Sequence, residues 1–475
     1  MTGHAPIAEL PAGLDWVNAD QPPALSAFRG RVTLLYFWTF DGINSLNLLA
    51  ELPPLERRFH DGLAVIGVHC PNYPRQCEPG IVLKAVNRLG LRHPVANDPG
   101  YLAWQQFGIE AWPSVVLLDV EGRPAGLYAG EGRSSEIAAR IAALLDEAAS
   151  RDLRIFDSQT DVVRPEEHRP LAFPTRVIAT SQHLYVADTG HHRILEATHG
   201  GRILRQFGLG SASFADGHDV EAGFSYPQGL ALHRDTLYVA DTGNHAIRRV
   251  RLASGEVDTI AGTGHMGRDR AIEHPDPRAV GLAWPLDVSL DDEHLFFSLA
   301  GQNQIWALDL ARNTLGVFAG SGKFGMEDGE AAYASFAHPA GLCVLGRQLI
   351  VADAGANAIR AVSLGDGRVS TVAGAGPFEF GDAAGIGHDA RLQHPLVVSP
   401  DPRGLVFLVD TLNNRIKALN TRTREVRGFN LAWPFAEPEG IALAAGALWV
   451  ANTNAHEIVR VDLASGACQH VPLGE

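Results

Sequence analysis

The stretch Tyr185 to Ile194 reads Y-V-A-D-T-G-H-H-R-I and returns with small changes to the end of the chain. Further copies begin at Tyr238, Phe297, Ile350, Phe407 and Trp449. Six copies at a spacing of roughly 40 to 60 residues restrict the carboxyl-terminal part to a solenoid or propeller of stacked supersecondary units. In each copy an apolar run meets a short turn rich in Asp, Asn and Gly, and a second run starts at an isoleucine, so each predicts a β-hairpin. Asp188, Asp241, Asp353, Asp410 and Asn452 recur at the first turn position. Their side chains can accept from amides two residues on, and Gly or Asn tolerates positive φ, so they are read as structural turn residues rather than ligands.

Each hairpin is preceded by a proline-led run, as in Y-P-Q-G-L-A-L, and most are followed by a run ending in Ala-Gly, as in V-D-T-I-A-G. Four strands per unit and six units predict a six-bladed β-propeller over 173–475. Proline suits the start of the innermost strand, where its missing N–H costs no ladder bond.

Residues 1–150 carry no repeat and alternate strand and helix patterns, which predicts an α/β sheet with crossovers. Val32 to Trp38 and Leu63 to His69 are continuous apolar runs, as strands covered on both faces require. A helix is expected from Ile43 to Phe59, interrupted at Pro53 and Pro54. Further helices are expected near Gly80 to Leu89, Tyr101 to Phe107 and Ser134 to Ala149, and strands over Ser114 to Asp119 and Ala125 to Ala129. The charged, proline-bearing stretch 151–172 reads as a linker, in which Leu153 to Phe156 could add an edge strand. The fold class is therefore multidomain, α/β followed by all-β.

The strand ending F-W-T-F, the V-I-G-V-H strand, the A-W-P-S turn and the D-V-E-G-R hairpin together resemble the thioredoxin fold in its TlpA-like branch. That resemblance places the site at Trp38 and Asp41-Gly42-Ile43-Asn44-Ser45, and implies a cis bond between Trp112 and Pro113. A redox-active member needs Cys-x-x-Cys at the helix start, where the helix amino terminus lowers the nucleophile's pKa and the second thiol resolves the mixed disulfide. Gly42 and Ser45 stand at those two positions, so the site has no dithiol. Asp41 or Asn44 is expected to cap the helix instead. Cys70 and Cys77 are the possible replacement thiols, but their spacing fits no redox or zinc motif.

The propeller units resemble NHL repeats, with glycine- and acid-rich connectors such as G-S-G-K-F-G-M-E-D-G. A thioredoxin-like domain followed by such a propeller resembles the family of NHL repeat-containing protein two over essentially the whole chain. Where that family usually reads C-C-I-N-C, this chain retains Ile43 and Asn44 and lacks all three cysteines.

A formal net charge of −15 gives no footprint for a phosphate backbone, so neither nucleic acid nor an anionic membrane is an expected partner. The amino terminus has no basic run followed by an apolar one, and four scattered cysteines make no disulfide framework, so a cytoplasmic protein with reduced thiols is expected. The connector acids Asp216, Asp219, Glu221, Glu327, Asp328, Glu330 and Asp382 are read as solvated loops, since no calcium-loop pattern is present. Among the turn and blade-start histidines, His191, His192, His245, His338 and His394, no zinc site is expected. Neither a cofactor nor a metal is called for, and no catalytic residue is assigned. The favoured reading is a non-catalytic interaction protein that binds a protein or peptide at the interdomain cleft or on a propeller face. One alternative is a metal-assisted hydrolase or lactonase in the propeller channel, with Asp287 and Glu439 as candidates; another is a thiol redox protein using Cys70 and Cys77.

Overall fold

A computed structural model describes residues 9–19, 23–154, 162, 169–267 and 273–474. The chain divides into two compact units, Met1–Glu167 and His168–Glu475.

The first unit is thioredoxin-like. Its elements are β1 (Asp15–Trp16), β2 (Val32–Trp38), α1 (Ile43–Arg58), β3 (Leu63–His69), α2 (Pro79–Arg88), β4 (Val95–Asn97), α3 (Leu102–Gln106), β5 (Ser114–Leu118), β6 (Pro124–Ala129) and α4 (Ser134–Ser150). The sheet order is β1-β4-β3-β2-β5-β6, parallel from β4 through β2 and antiparallel elsewhere. Strands β2 and β3 are buried throughout, as their unbroken apolar sequences demand. The expected interruption of α1 does not occur, for Pro53 and Pro54 lie inside one continuous helix. Both prolines face solvent, while Leu48, Leu52 and Leu55 keep the buried stripe intact. Short β1 and β4 were not read from sequence, because two or three residues carry no periodicity. The proposed edge strand at Leu153 to Phe156 lies partly outside the described residues, and Leu153 and Arg154 are not in a strand.

The second unit is a six-bladed propeller in which every blade is one antiparallel sheet built from consecutive strands. Blade 1 runs from Arg176–Ala179 to Ile203–Phe207, blade 2 from Pro227–His233 to Glu256–Ala261 and blade 3 from Pro285–Leu290 to Thr314–Ala319. Blade 4 runs from Pro339–Leu345 to Val369–Ala373, blade 5 from Pro395–Pro400 to Glu425–Gly428 and blade 6 from Gly440–Ala444 to Cys468–Val471. Short connector strands at Gly217–His218, Glu273–His274 and Gly385–Ile386 cover the outer edges of blades 2, 3 and 5. Among the described residues no strand is exchanged to close the ring.

The blades are joined at their entry dipeptides, each held from two sides. The first residue of the dipeptide is held by its own blade. Ala172, Ser225, Ala337, Gln393 and Ala436 donate their amides to the turn side chains Asp188, Asp241, Asp353, Asp410 and Asn452 at 2.7–2.8 Å. Ala283 of blade 3 uses Gln302 in the same way, at 3.1 Å. The second residue is held by the preceding blade. Tyr226 and Trp284 donate to Nδ1 of His192 and His245 at 3.0 and 3.3 Å, and Phe173 donates to Nδ1 of His456 at 3.1 Å. His338, His394 and Glu437 donate to Oδ1 of Asn303, Asn357 and Asn414 at 3.0, 2.8 and 2.8 Å. The His and Asn clamp residues all have φ between 49° and 59°. This corrects the expected turn chemistry. The recurring carboxylates reach a residue sixteen positions back, or seventeen for Asp410, rather than two ahead, and none caps its own turn. Left-handed backbone falls on the clamp residue, which explains why His or Asn stands there.

Around the axis, the second residue after the entry proline is Arg176, Asp287 and Val397 in blades 1, 3 and 5, and glycine in the others. A Cβ at Gly229 would lie 2.3 Å from Cα of Asp287, one at Gly341 2.5 Å from the Leu396 carbonyl, and one at Gly440 2.8 Å from the Thr175 carbonyl. The blades thus press backbone to backbone in three pairs, and glycine is required by that approach. Gly341→Ala is expected to destabilise the propeller by about 1–3 kcal/mol. Gly428→Ala, into open space, is expected to be near neutral; equal thermal shifts in calorimetry for the two variants would refute the close-approach account.

Candidate functional site

The loop from β2 into α1 carries the residues at the thioredoxin active-site position. Gly42 is the residue preceding the helix, with φ −92° and ψ 115°, and no side chain caps the helix end, so the expected capping by Asp41 or Asn44 is not found. Asp41 turns away from the helix instead. Its Oδ1 accepts from Nε2 of Gln76 at 2.7 Å and from the Thr39 hydroxyl, and its Oδ2 accepts from Nδ2 of Asn72 at 3.0 Å. Ser45, fully buried, accepts from the Thr39 amide at 3.2 Å. Ile43 is buried and Asn44 is exposed at the head of the helix. The two positions a dithiol would occupy are therefore a bare backbone carbon and a hydroxyl bound to the loop it follows.

Beneath them His69 is wholly buried at the end of β3. Its ring stacks on Phe40 at 5.3 Å, meets Trp38 edge-on at 5.4 Å and bonds Asn97 through Nδ1 at 2.9 Å. Burial holds its pKa down to about 4, against the opposing pull of Asn97 and Asp41, so it is neutral at pH 7. Its Nε2 and the Trp38 Nε1 have no hydrogen-bond partner among the described residues. The Trp112–Pro113 bond is cis, and Trp112 packs on Trp104 at 4.7 Å and Tyr101 at 6.4 Å.

The replacement thiols are poorly placed for chemistry. Cys70 is buried, and burial together with Asp98 pushes its pKa far above the usual thiol range. Cys77 is half-buried and is also raised, by burial and by Glu78. All four cysteines are free thiols. Since the thiolate is the nucleophile, these environments suppress reactivity.

Sequence reasoning missed Thr39, Asn72, Gln76 and His69. Gln76 binds Asp41 from 35 residues away, and nothing local announces that contact. His69 had a usable signal, a polar residue closing an apolar strand where α/β sheets bind ligands.

In the propeller, three connector acids are structural anchors rather than solvated loops. Arg248, fully buried, bonds Asp241 at 2.8 Å and the connector's Asp216 at 3.0 Å. Arg360 does the same between Asp353 and Asp328, and Lys417 between Asp410 and Asp382. Each cation lies seven residues after its turn aspartate, and that spacing was the overlooked signal.

The channel recess, about 30 Å³, is lined by Thr175, Arg176, Gln228, Asp287 and Glu439 among others. Arg176 crosses it to reach Asp287 at 3.0 Å, and Asp287 also accepts from the Leu342 amide at 2.8 Å. Burial raises the Asp287 carboxyl to about 6 despite Arg176. The arginine was not among the sequence candidates. Among the described residues no three His, Cys, Asp or Glu side chains gather so as to hold a metal ion, and no helix is long and apolar enough to cross a membrane.

Comparison with known proteins agrees with this architecture. An NHL repeat model matches residues 224–249. NHL repeat-containing protein 2 of Bos taurus is 33% identical over 515 residues, which cover 96% of this chain and 70% of that protein. Protein SUPPRESSOR OF QUENCHING 1, chloroplastic, of Arabidopsis thaliana is 32% identical over 97% of this chain and 47% of its own length. The amino-terminal region is similar to Protein DipZ of Mycobacterium bovis, 33% identical over 149 residues, 31% of this chain and 21% of that protein. With the whole two-unit architecture matched at this identity, the chain belongs to the NHL repeat-containing protein 2 family.

Proposed function

We propose that this chain is a non-catalytic interaction protein of the cytoplasm, in which the former thioredoxin site recognises a protein or peptide partner. The observation that carries the reading is the state of Gly42 and Ser45, a site whose frame is kept while its sulfur chemistry is gone. Support comes also from Asp41, whose two oxygens are held by Thr39, Gln76 and Asn72, so that the loop is pre-shaped for binding. The half-buried aromatic rings of Trp112, Tyr101 and Trp104, which pack on one another, supply apolar surface of the kind peptide partners use.

A photo-crosslinking residue at exposed Asn44 tests this in cells. A discrete protein adduct is expected at Asn44 and is expected to be missing when the probe stands at Ala50, which is exposed on the same helix. Identical adduct patterns from both positions, or none from Asn44, would defeat the proposal. On the same reading, Cys70→Ser with Cys77→Ser leaves reductase and peroxidase turnover at the parent's background level; any activity lost in that variant would reinstate a thiol enzyme.

A further inference from the structure

The six joints of the propeller have the same geometry but two chemistries. Histidine closes the joints between blades 6 and 1, 1 and 2, and 2 and 3. Asparagine closes those between 3 and 4, 4 and 5, and 5 and 6. An amide oxygen accepts a hydrogen bond at any pH. An imidazole Nδ1 accepts only while it carries no proton. The three histidine joints are also contiguous, so the ring is divided into two arcs. We infer that the propeller has an acid-labile arc, running from blade 6 through blades 1 and 2 to blade 3, whose joints loosen when His456, His192 and His245 are protonated, while the opposite arc stays closed.

The surroundings of the clamps oppose protonation in the closed state. His192 faces the ring of Tyr226 at 4.5 Å across the joint, and its charged neighbours are His191 and Asp188 of its own turn. Asp188 is already engaged by Arg193 at 2.7 Å and His191 at 2.9 Å. His245 faces the Trp284 ring at 5.4 Å and, from the next connector, His265. The carboxylate of its own turn, Asp241, is taken by Arg248 and Asn244. His456 lies against the Phe173 ring at 4.3 Å. Around it, Glu457 is bound by Asn452 and Trp433, Glu437 by Asn454, and Arg169 donates to the Ala455 carbonyl. Burial, with a smaller contribution from the neighbouring histidines, holds His192 below the usual imidazole range and His245 down to about 4.

An opened joint exposes an imidazole that protonates near pH 6.5, whereas His192 and His245 in their closed joints resist until lower pH. At these two joints closure is therefore complete above about pH 6.5 and is lost as pH falls through the closed-state values. Overall stability would blur this. Burial raises the Asp241 and Asp287 carboxyls to about 6 and Asp353 to about 7, so the folded protein takes up protons there in the same window and is stabilised by doing so. A local measurement separates the two effects.

Amide hydrogen exchange of the full chain between pH 7.5 and 4.5, corrected for the intrinsic pH dependence of exchange, provides it. The amides of Phe173, Tyr226 and Trp284 are expected to lose at least about tenfold in protection at pH 4.5 relative to those of His338, His394 and Glu437. The triple variant His192→Asn, His245→Asn, His456→Asn should abolish the difference, since Asn already holds φ near 53° at the three equivalent positions. The reciprocal variant, Asn303→His, Asn357→His, Asn414→His, should make all six amides acid-sensitive. Equal behaviour of all six amides in the parent, or a difference that survives in the asparagine variant, would overturn the inference.

Discussion

Gly42→Cys combined with Ser45→Cys is expected to give a chain that exchanges with disulfides at least about a hundredfold faster than its parent, whose own rate sits at the level of inert thiols. Three features of the site support so large a gain from two atoms of sulfur. Gly42 has φ −92°, ordinary for any L residue, so a side chain there introduces no backbone strain. A Cβ built on it would lie 3.6 Å from Ser45 Oγ and 3.1 Å from the Thr39 methyl, so it meets no backbone atom closer than 3.8 Å and asks the methyl to shift by only a few tenths of an ångström. Finally, the position heads a 16-residue helix, whose unpaired amides and dipole favour a thiolate. Insulin reduction measures the gain, and trapping with glutathione shows whether the second cysteine resolves the mixed disulfide. Gly42→Cys alone should accumulate that adduct. Adding Asp41→Asn should speed the reaction further, because the carboxylate one residue before the new thiol disfavours its anion. A double-cysteine variant that folds like the parent yet stays silent would mean that the frame, and not merely the sulfur, has been lost.

The second large effect is expected at the blade anchors. Asp241→Ala removes the acceptor for the Ser225 amide, for Asn244 and for Arg248 in one step. It leaves a fully buried guanidinium with only the connector's Asp216 for a counter-charge. Breaking one side of a buried pair costs about 3–5 kcal/mol, because the surviving charge stays out of water. The denaturant midpoint of the propeller transition should fall accordingly. Glu330→Gln, on an exposed connector, should move it by no more than about 0.5 kcal/mol. If both shifts were alike, the buried aspartates would not be the fasteners of the blades.

The order of elements and the six-fold repeat were legible because their signals are periodic. Apolar runs, entry prolines and the recurring turn recur six times and reinforce one another. The absence of a dithiol was equally plain, since one loop contains it. What escaped was long in reach. The aspartate turns suggested a local bond, whereas each carboxylate holds a backbone amide sixteen or seventeen residues upstream. Likewise Gln76 and Asn72 complete the site around Asp41 from another loop, and Arg176 meets Asp287 from two blades away. Sequence spacing encodes neighbours along a strand or helix; it does not encode which loop folds back on which. The turn glycines taught the same lesson. Gly190, Gly243 and Gly355 do not adopt positive φ, and they are small because the entry residues of their own blades lie against them.

The ring closes with the same two bonds that join blade 1 to 2 and blade 2 to 3, an entry amide donating to a histidine Nδ1, here Phe173 to His456, and a threonine hydroxyl donating to the entry-proline carbonyl, here Thr453 to Pro174. Thr189 and Thr242 make the corresponding bonds to Pro227 and Pro285 at internal joints. Among the described residues, then, this propeller has no latch. Its seam is an ordinary joint, whereas the joints from blade 3 to 4 and from 4 to 5 carry Ala300 and Ala354 in place of that threonine, so under a load applied around the ring the first coupling to part is set by local chemistry rather than by where the polypeptide enters and leaves.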